Sequence, residues 1–172
     1  MKDTILRASV ETAANHGLNE WTVEEVANRA KCAKGLVNYH YRSKGELLSR
    51  TAETVAMDRL ARRLSALSRA QGATALDALW EALSQEVDSG WFAAWLGFLS
   101  AGGKLRLAAT LTPDRERHLV LALHKALDLP ALVDLDPALV AAILDGLALR
   151  LLQGEPVDAV REAYHRFWVT VL

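Results

Sequence analysis

Residues 22–47 read TVEEVANRAKCAKGLVNYHYRSKGEL, and this stretch decides the fold. Thr22 and Glu25, three apart, form a capping-box pair that starts a helix. Val23, Val26, Ala27 and Ala30 recur at helical spacing and give that helix one buried face. Residues 31–34 separate it from a second apolar set, Leu36, Val37 and Tyr41. Two short helices joined by a turn of this length make a helix-turn-helix, whose second helix can enter a major groove. Ser43 and Glu46 repeat the capping box, so a further helix begins at once.

Working outward, residues 3–16 carry Ile5, Leu6, Ser9, Val10, Ala13 and Ala14 on one helical stripe, and Gly17 ends it. Leu18 and Trp21 are expected to fold back onto the small core. No basic arm precedes this helix, so an arm in the minor groove is not expected. Beyond Ser43 a long helix is predicted to about residue 70, with Leu47, Leu48, Thr51, Val55, Leu60, Leu64 and Leu67 on its apolar side. Later helices are predicted over 74–87, 91–100, 104–111, 113–128, 137–153 and 156–171. Thr112-Pro113 and Asp136-Pro137 both match a cap followed by proline at the first helical position. Residues 129–135 are expected to be a connection.

Composition agrees with an all-α chain. Hydrophobic residues make up 51%, and only 4 prolines interrupt a sequence rich in Ala and Leu. One cysteine, Cys32, rules out an internal disulfide framework. No uncharged apolar run reaches the length of a membrane span, and the charged start does not resemble a signal peptide, so a cytoplasmic protein is expected. The net charge is −1, but its distribution is uneven. Residues 31–50 hold five Lys/Arg against one acidic residue, whereas residues 51–172 hold twelve against fifteen. On a helix-turn-helix, such a cluster is the footprint of a phosphate-reading surface.

Thr22, Val26, Ala27 and Ala30, then GLVNYHYRSK at 35–44 with Leu47 and Leu48, resemble the DNA-binding domain of the TetR family of transcriptional regulators. Two positions depart from the family pattern. Lys31 stands where the turn usually has Gly, and Ala33 where Ser or Thr usually caps the second helix. The resemblance implies an all-α protein with a three-helix head at 1–45 and a helical ligand-binding and dimerisation body at 46–172. It implies a homodimeric, ligand-responsive repressor of a palindromic operator on double-stranded DNA, with the long helix carrying ligand-induced movement. The implied DNA contacts are Thr22, Val23, Lys34, Gly35, Leu36, Asn38, Tyr39, His40 and Lys44. Asn38 suits an adenine edge or a phosphate, and Leu36 a thymine methyl. Tyr39 and His40 suit phosphate or sugar, and Lys44 would help clamp a phosphate at a helix N-terminus. Tyr41 is expected in the core.

In the body, Trp80, Trp91, Trp95, Phe98 and His124 are candidates for a pocket that would hold an effector of unknown identity. The plainer alternative is that the aromatics are core or dimer packing. An acid such as Glu86 or Asp88 beside them could accept a cation. The Trp-rich run also resembles the betaine-regulator branch of the family. Helices 137–153 and 156–171 have excess apolar surface, and Ile143, Leu147, Leu151, Tyr164 and Trp168 are candidates for a dimer interface. His118 and His124 lie six apart and share no helix face, so no metal site is expected. There is no phosphate loop or nucleophile motif, so neither a cofactor nor an enzymatic activity is expected. A second reading is a helical ligand-binding or scaffold protein that has lost DNA binding, for which Lys31 and Ala33 leave room.

Overall fold

A computed structural model describes residues 1–110, 112–130 and 133–172. Among these residues the chain forms ten α-helices and no strand. They are α1 (Lys2–His16), α2 (Val23–Arg29), α3 (Lys34–His40), α4 (Lys44–Ser68), α5 (Ala73–Asp88), α6 (Trp91–Ser100), α7 (Gly103–Ala109), α8 (Pro113–Leu127), α9 (Pro137–Leu152) and α10 (Val157–Val171). The all-α expectation holds, and α6 has the predicted bounds. Leu111, at the end of the helix expected over 104–111, lies outside the described residues, as do two positions of the 129–135 connection.

Local chemistry explains the helix starts. The Thr22 hydroxyl accepts from the Glu25 N–H at 3.1 Å, and the Ser43 hydroxyl from the Glu46 N–H at 3.0 Å. Glu46 reaches back to the Arg42 N–H at 2.9 Å, one residue before the usual capping-box partner. Pro137 opens α9 behind Asp136, whose carboxylate accepts from the Leu139 N–H at 2.8 Å.

The turn between α2 and α3 is a Schellman motif. The Cys32 N–H donates to the Ala27 carbonyl at 3.0 Å and the Lys31 N–H to the Asn28 carbonyl at 3.1 Å. The motif needs a left-handed residue at its second-last position, and Lys31 has φ 52°. Cys32 packs against the core at the position where the motif favours an apolar contact. Ala33 offers no side-chain cap, and α3 forms without one.

The chain packs as two compact units. The first comprises Met1–Asp58 and Ser89–Thr110, the second Arg59–Asp88 and Leu111–Leu172. These units do not follow the division expected at 45/46, because residues 89–110 pack with the head. Gly90, the left-handed residue that caps the start of α6, and Gly97 within it both lie close to the end of α1 and the residues after it. A Cβ on Gly90 would lie 2.2 Å from the Ala14 carbonyl oxygen, and one on Gly97 3.4 Å from the Leu18 side chain. Ala94, Phe98 and Ala109 then join Ile5, Val26, Val37, Tyr41, Leu47 and Val55 in a single core.

The second unit is built on α5, α8, α9 and α10, with Leu79, Leu83, Leu123, Leu144 and Val160 at its centre. It also buries charge. Arg59 and Arg63, one turn apart on α4, are 4% and 5% exposed, and Glu86 on α5 is fully buried. Glu86 accepts from Arg59 Nε at 3.0 Å and from Arg63 Nε at 2.9 Å. The Asp145 carboxylate on α9 accepts from both guanidiniums, at 2.8 and 3.0 Å. Burial works against the charge of Arg63, but Glu86 and Asp145 more than offset it and raise its pKa above the ordinary arginine value.

Substitutions at these points have calculable costs. Gly90→Ala forces both a left-handed alanine and a backbone clash, and should lower stability by roughly 2–4 kcal/mol. Gly72→Ala, also left-handed but facing open space, should cost about 1 kcal/mol, with both variants compared by denaturant titration. Lys31→Gly should instead raise stability by about 1 kcal/mol. Glu86→Gln leaves two buried guanidiniums short of a countercharge and should cost roughly 3–5 kcal/mol, measured by thermal unfolding.

Candidate nucleic-acid interface

The first unit displays α3 on a rigid base. Val37 is 1% exposed and Tyr41, just past the helix, 2%, so this side of α3 is fixed in the core. The Tyr41 hydroxyl donates to the Lys2 carbonyl at 3.2 Å, which ties the end of α3 to the start of α1. Burial, and next the charge of Asp3, push that hydroxyl's pKa above its ordinary value, so it stays a donor.

The outward residues are those with groove chemistry. Lys34, Gly35 and Asn38 are exposed, and Tyr39 is 81% exposed. Leu36 and His40 are half-buried, and the Tyr39 and His40 rings meet edge-on with centroids 5.3 Å apart. Thr22 is exposed at the cap of α2 with Val23 half-buried beside it. The nine predicted contact residues thus come from α3, the start of α2 and the start of α4. Lys34 pairs loosely with Glu24 at 3.9 Å, both side chains well exposed, a pairing worth little in water.

Two arrangements were not legible in the sequence. The Lys44 ammonium lies 5.5 Å from the centroid of Trp21, and that of Lys2 5.5 Å from the centroid of Tyr41. In each case a cation is attached to an aromatic side chain of the core by a contact that periodicity does not reveal.

The other candidates fall differently. Trp91, Trp95 and Phe98 belong to the first unit, and Trp80 and His124 to the second. Phe98 is a core residue, and the Trp95 indole donates to the Ala109 carbonyl at 3.0 Å. Trp80 is 2% exposed and packs on Tyr164 at 5.4 Å, while His124 is half-buried. Glu86, considered as a partner for a cation, is held by Arg59 and Arg63.

Of the candidates for a dimer face, Ile143 and Leu151 are half-buried, but Leu147, Tyr164 and Trp168 are buried within their own unit. The Tyr164 hydroxyl donates to the Leu76 carbonyl at 2.7 Å, and burial pushes its pKa above the ordinary tyrosine range. The α10 stripe that looked like an interface is therefore the inner face of the helix. The large apolar residues left outside on α9 and α10 include Leu139, Leu149, Leu152, Val157 and Val169. A cavity of about 420 Å³ opens between the start of α5 and the end of α10, lined by Leu76, Asp77, His165, Trp168, Val169 and Leu172 among others. Among the described residues no cluster of His, Cys, Asp or Glu is placed to hold a metal ion, and no helix is long and apolar enough to cross a membrane.

Comparison with known proteins bears on this geometry. Residues 5–51 match the family described as bacterial regulatory proteins, tetR family. The chain is 26% identical over 164 residues to the HTH-type transcriptional regulator BetI of Escherichia coli O17:K52:H18 (strain UMN026 / ExPEC), an alignment covering 90% of this chain and 84% of BetI. A transcriptional regulator from Rhodococcus sp. Rha1 superposes with a TM-score of 0.73 at 25% identity, covering 99% of this chain and 95% of that one. The multidrug binding protein EbrR, solved in complex with imidazole, shares the fold with a TM-score of 0.62 at 20% identity, covering 96% and 93%. The family is one of DNA-binding regulators, not of enzymes. The matched head, the outward-facing α3 and the regulators aligned along nearly the whole chain agree: residues 5–51 match the tetR family of bacterial regulatory proteins, and the chain as a whole is similar to HTH-type transcriptional regulators.

Proposed function

We propose that the protein is a homodimeric, effector-responsive repressor that reads a palindromic operator through α3. The observation that carries this reading is the two-sidedness of the head. Val37 and Tyr41 fix α3 from within while Lys34, Asn38 and Tyr39 face outward. Lys34, Tyr39, His40 and Lys44 are assigned to the DNA backbone, where contacts set register. Asn38 and Leu36 are assigned to base edges, Asn38 as the residue type that recognises adenine and Leu36 as an apolar partner for a thymine methyl. Gly35, exposed with open space around its Cα, allows close approach of the helix to a groove.

A lone helix-turn-helix reads few base pairs, and two copies related by a twofold axis read a palindrome. The exposed apolar residues on α9 and α10 supply a face for the second copy. Effector response is supported by the fold shared with EbrR, which is described as multidrug-binding, and by the cavity between α5 and α10. A molecule that binds better to a form with the two heads wrongly spaced would release DNA by population shift.

Fluorescence anisotropy against the promoter of the protein's own gene tests the reading. The expected result is saturable binding of two protomers per site, weakening as salt rises. Absence of any specific binding would favour the DNA-independent ligand-binding reading instead. Asn38→Ala should cost about 1–3 kcal/mol and relax preference at one base position, with the salt slope unchanged. Lys34→Ala should weaken binding to all sequences and reduce the slope by about 1. Light scattering should report a dimer, and Leu149→Glu combined with Val169→Glu should shift it to monomer.

A further inference from the structure

Trp21 does more than fill the core. We infer that it is a positioning residue for DNA binding, whose buried indole holds the Lys44 ammonium where a backbone phosphate arrives. The inference rests on the reading of Lys44 as a phosphate contact proposed above, and adds the residue through which that contact is prepared.

The ring is fixed first. Trp21 is 1% exposed, and its indole N–H is shared between the Ser9 hydroxyl at 3.1 Å and the Ser9 carbonyl at 3.2 Å. The Ser9 hydroxyl meets that of Thr51 at 2.6 Å, and Thr51 in turn donates to the Leu47 carbonyl at 2.7 Å. A hydroxyl has one proton to give. Since Thr51 gives its own to Leu47, Ser9 donates to Thr51 and accepts from Trp21. The relay thus runs from Trp21 through α1 into α4 and leaves the indole little freedom to turn.

Lys44 lies in the first turn of α4, a helix of 25 residues. That is an unfavourable place for a cation, because the free N–H groups and the helix dipole already make the end positive. Among the described residues Lys44 has no carboxylate within ion-pair distance, unlike Lys34 with Glu24 or Arg50 with Glu53. Its partner is the indole, at 5.5 Å from ammonium to centroid. The π face therefore offsets the repulsion of the helix end and keeps the long side chain from spreading into solvent. A phosphate bringing negative charge to that place would meet both the helix end and an ammonium already held there. Ordering the stem in advance reduces what binding must order later.

A double-mutant cycle read by anisotropy across a salt series is the test. Lys44→Ala should weaken binding to all sequences and lower the salt slope by about 1. Trp21→Leu should weaken binding about two- to fivefold with Lys44 present, the fold-change equivalent of one exposed cation–π contact, and change nothing further when combined with Lys44→Ala. Trp21→Phe, which keeps an aromatic face, should recover most of that loss. If Trp21→Leu costs as much on top of Lys44→Ala as it does with Lys44 in place, the inference is overturned and Trp21 is a core residue only. An unchanged slope in Lys44→Ala alone would overturn the phosphate contact and this inference with it. One measurement does not depend on a variant of Trp21 folding. In the wild-type chain the Lys44 side-chain methylene protons, assigned by their loss in Lys44→Ala, should be shifted upfield by the indole ring current. Random-coil positions for them would also refute the inference.

Discussion

The placement of the helices around α3 depends on one buried relay of hydroxyls and an indole. Ser9, Thr51 and Trp21 are each at most 1% exposed, and the Ser9 hydroxyl links the other two, accepting from Trp21 and donating to Thr51. Losing one member would strand a polar group in the core, at about 1–3 kcal/mol for each unpaired donor or acceptor. The constraint is therefore cooperative. It joins α1, the residue before the α2 cap, and α4 with directional bonds, where packing alone would allow sliding. Val37 is the one buried residue within α3, so the aim of this helix is set by what surrounds it. Tyr41 ties one end of α3 to the start of α1, and the Schellman turn at Lys31 sets the other.

Much of this was legible in the sequence, because caps and turns are written in single residues. Thr22 with Glu25, Ser43, Gly17 and the two proline starts located helix boundaries closely. The departure at Lys31 also had a readable consequence, since a turn that favours glycine makes a lysine adopt a positive φ. What stayed hidden depends on which surface covers which. Gly90 falls between the helices predicted over 74–87 and 91–100, where nothing in the sequence marks it as a packing residue, yet with Gly97 it lets α6 lie against the end of α1. This is why residues 89–110 pack with the head.

Periodicity misled at Tyr164 and Trp168 for a related reason. An amphipathic stripe says which side of a helix is apolar, not whether its own chain or a second copy covers it. Here α5 covers it, through Trp80 and the Leu76 carbonyl. Glu86 hid its role too. An acid beside aromatic residues suggests a partner for a cationic ligand, and the arginines that bind it lie 23 and 27 residues away. The pairing of Lys44 with Trp21 was equally unreadable, because the two lie on different elements with no shared period.

The grouping of Arg59, Arg63, Glu86 and Asp145 has a consequence for how the molecule meets ionic strength. Mobile ions screen charges they can approach, and three members of this group are almost wholly removed from solvent. The cations around α3 stand in the open, within easy reach of salt. On the proposed reading, added electrolyte would weaken the grip on DNA while barely touching this buried group of charges. Salt would then be a dial on occupancy more than on the ionic group inside the second unit.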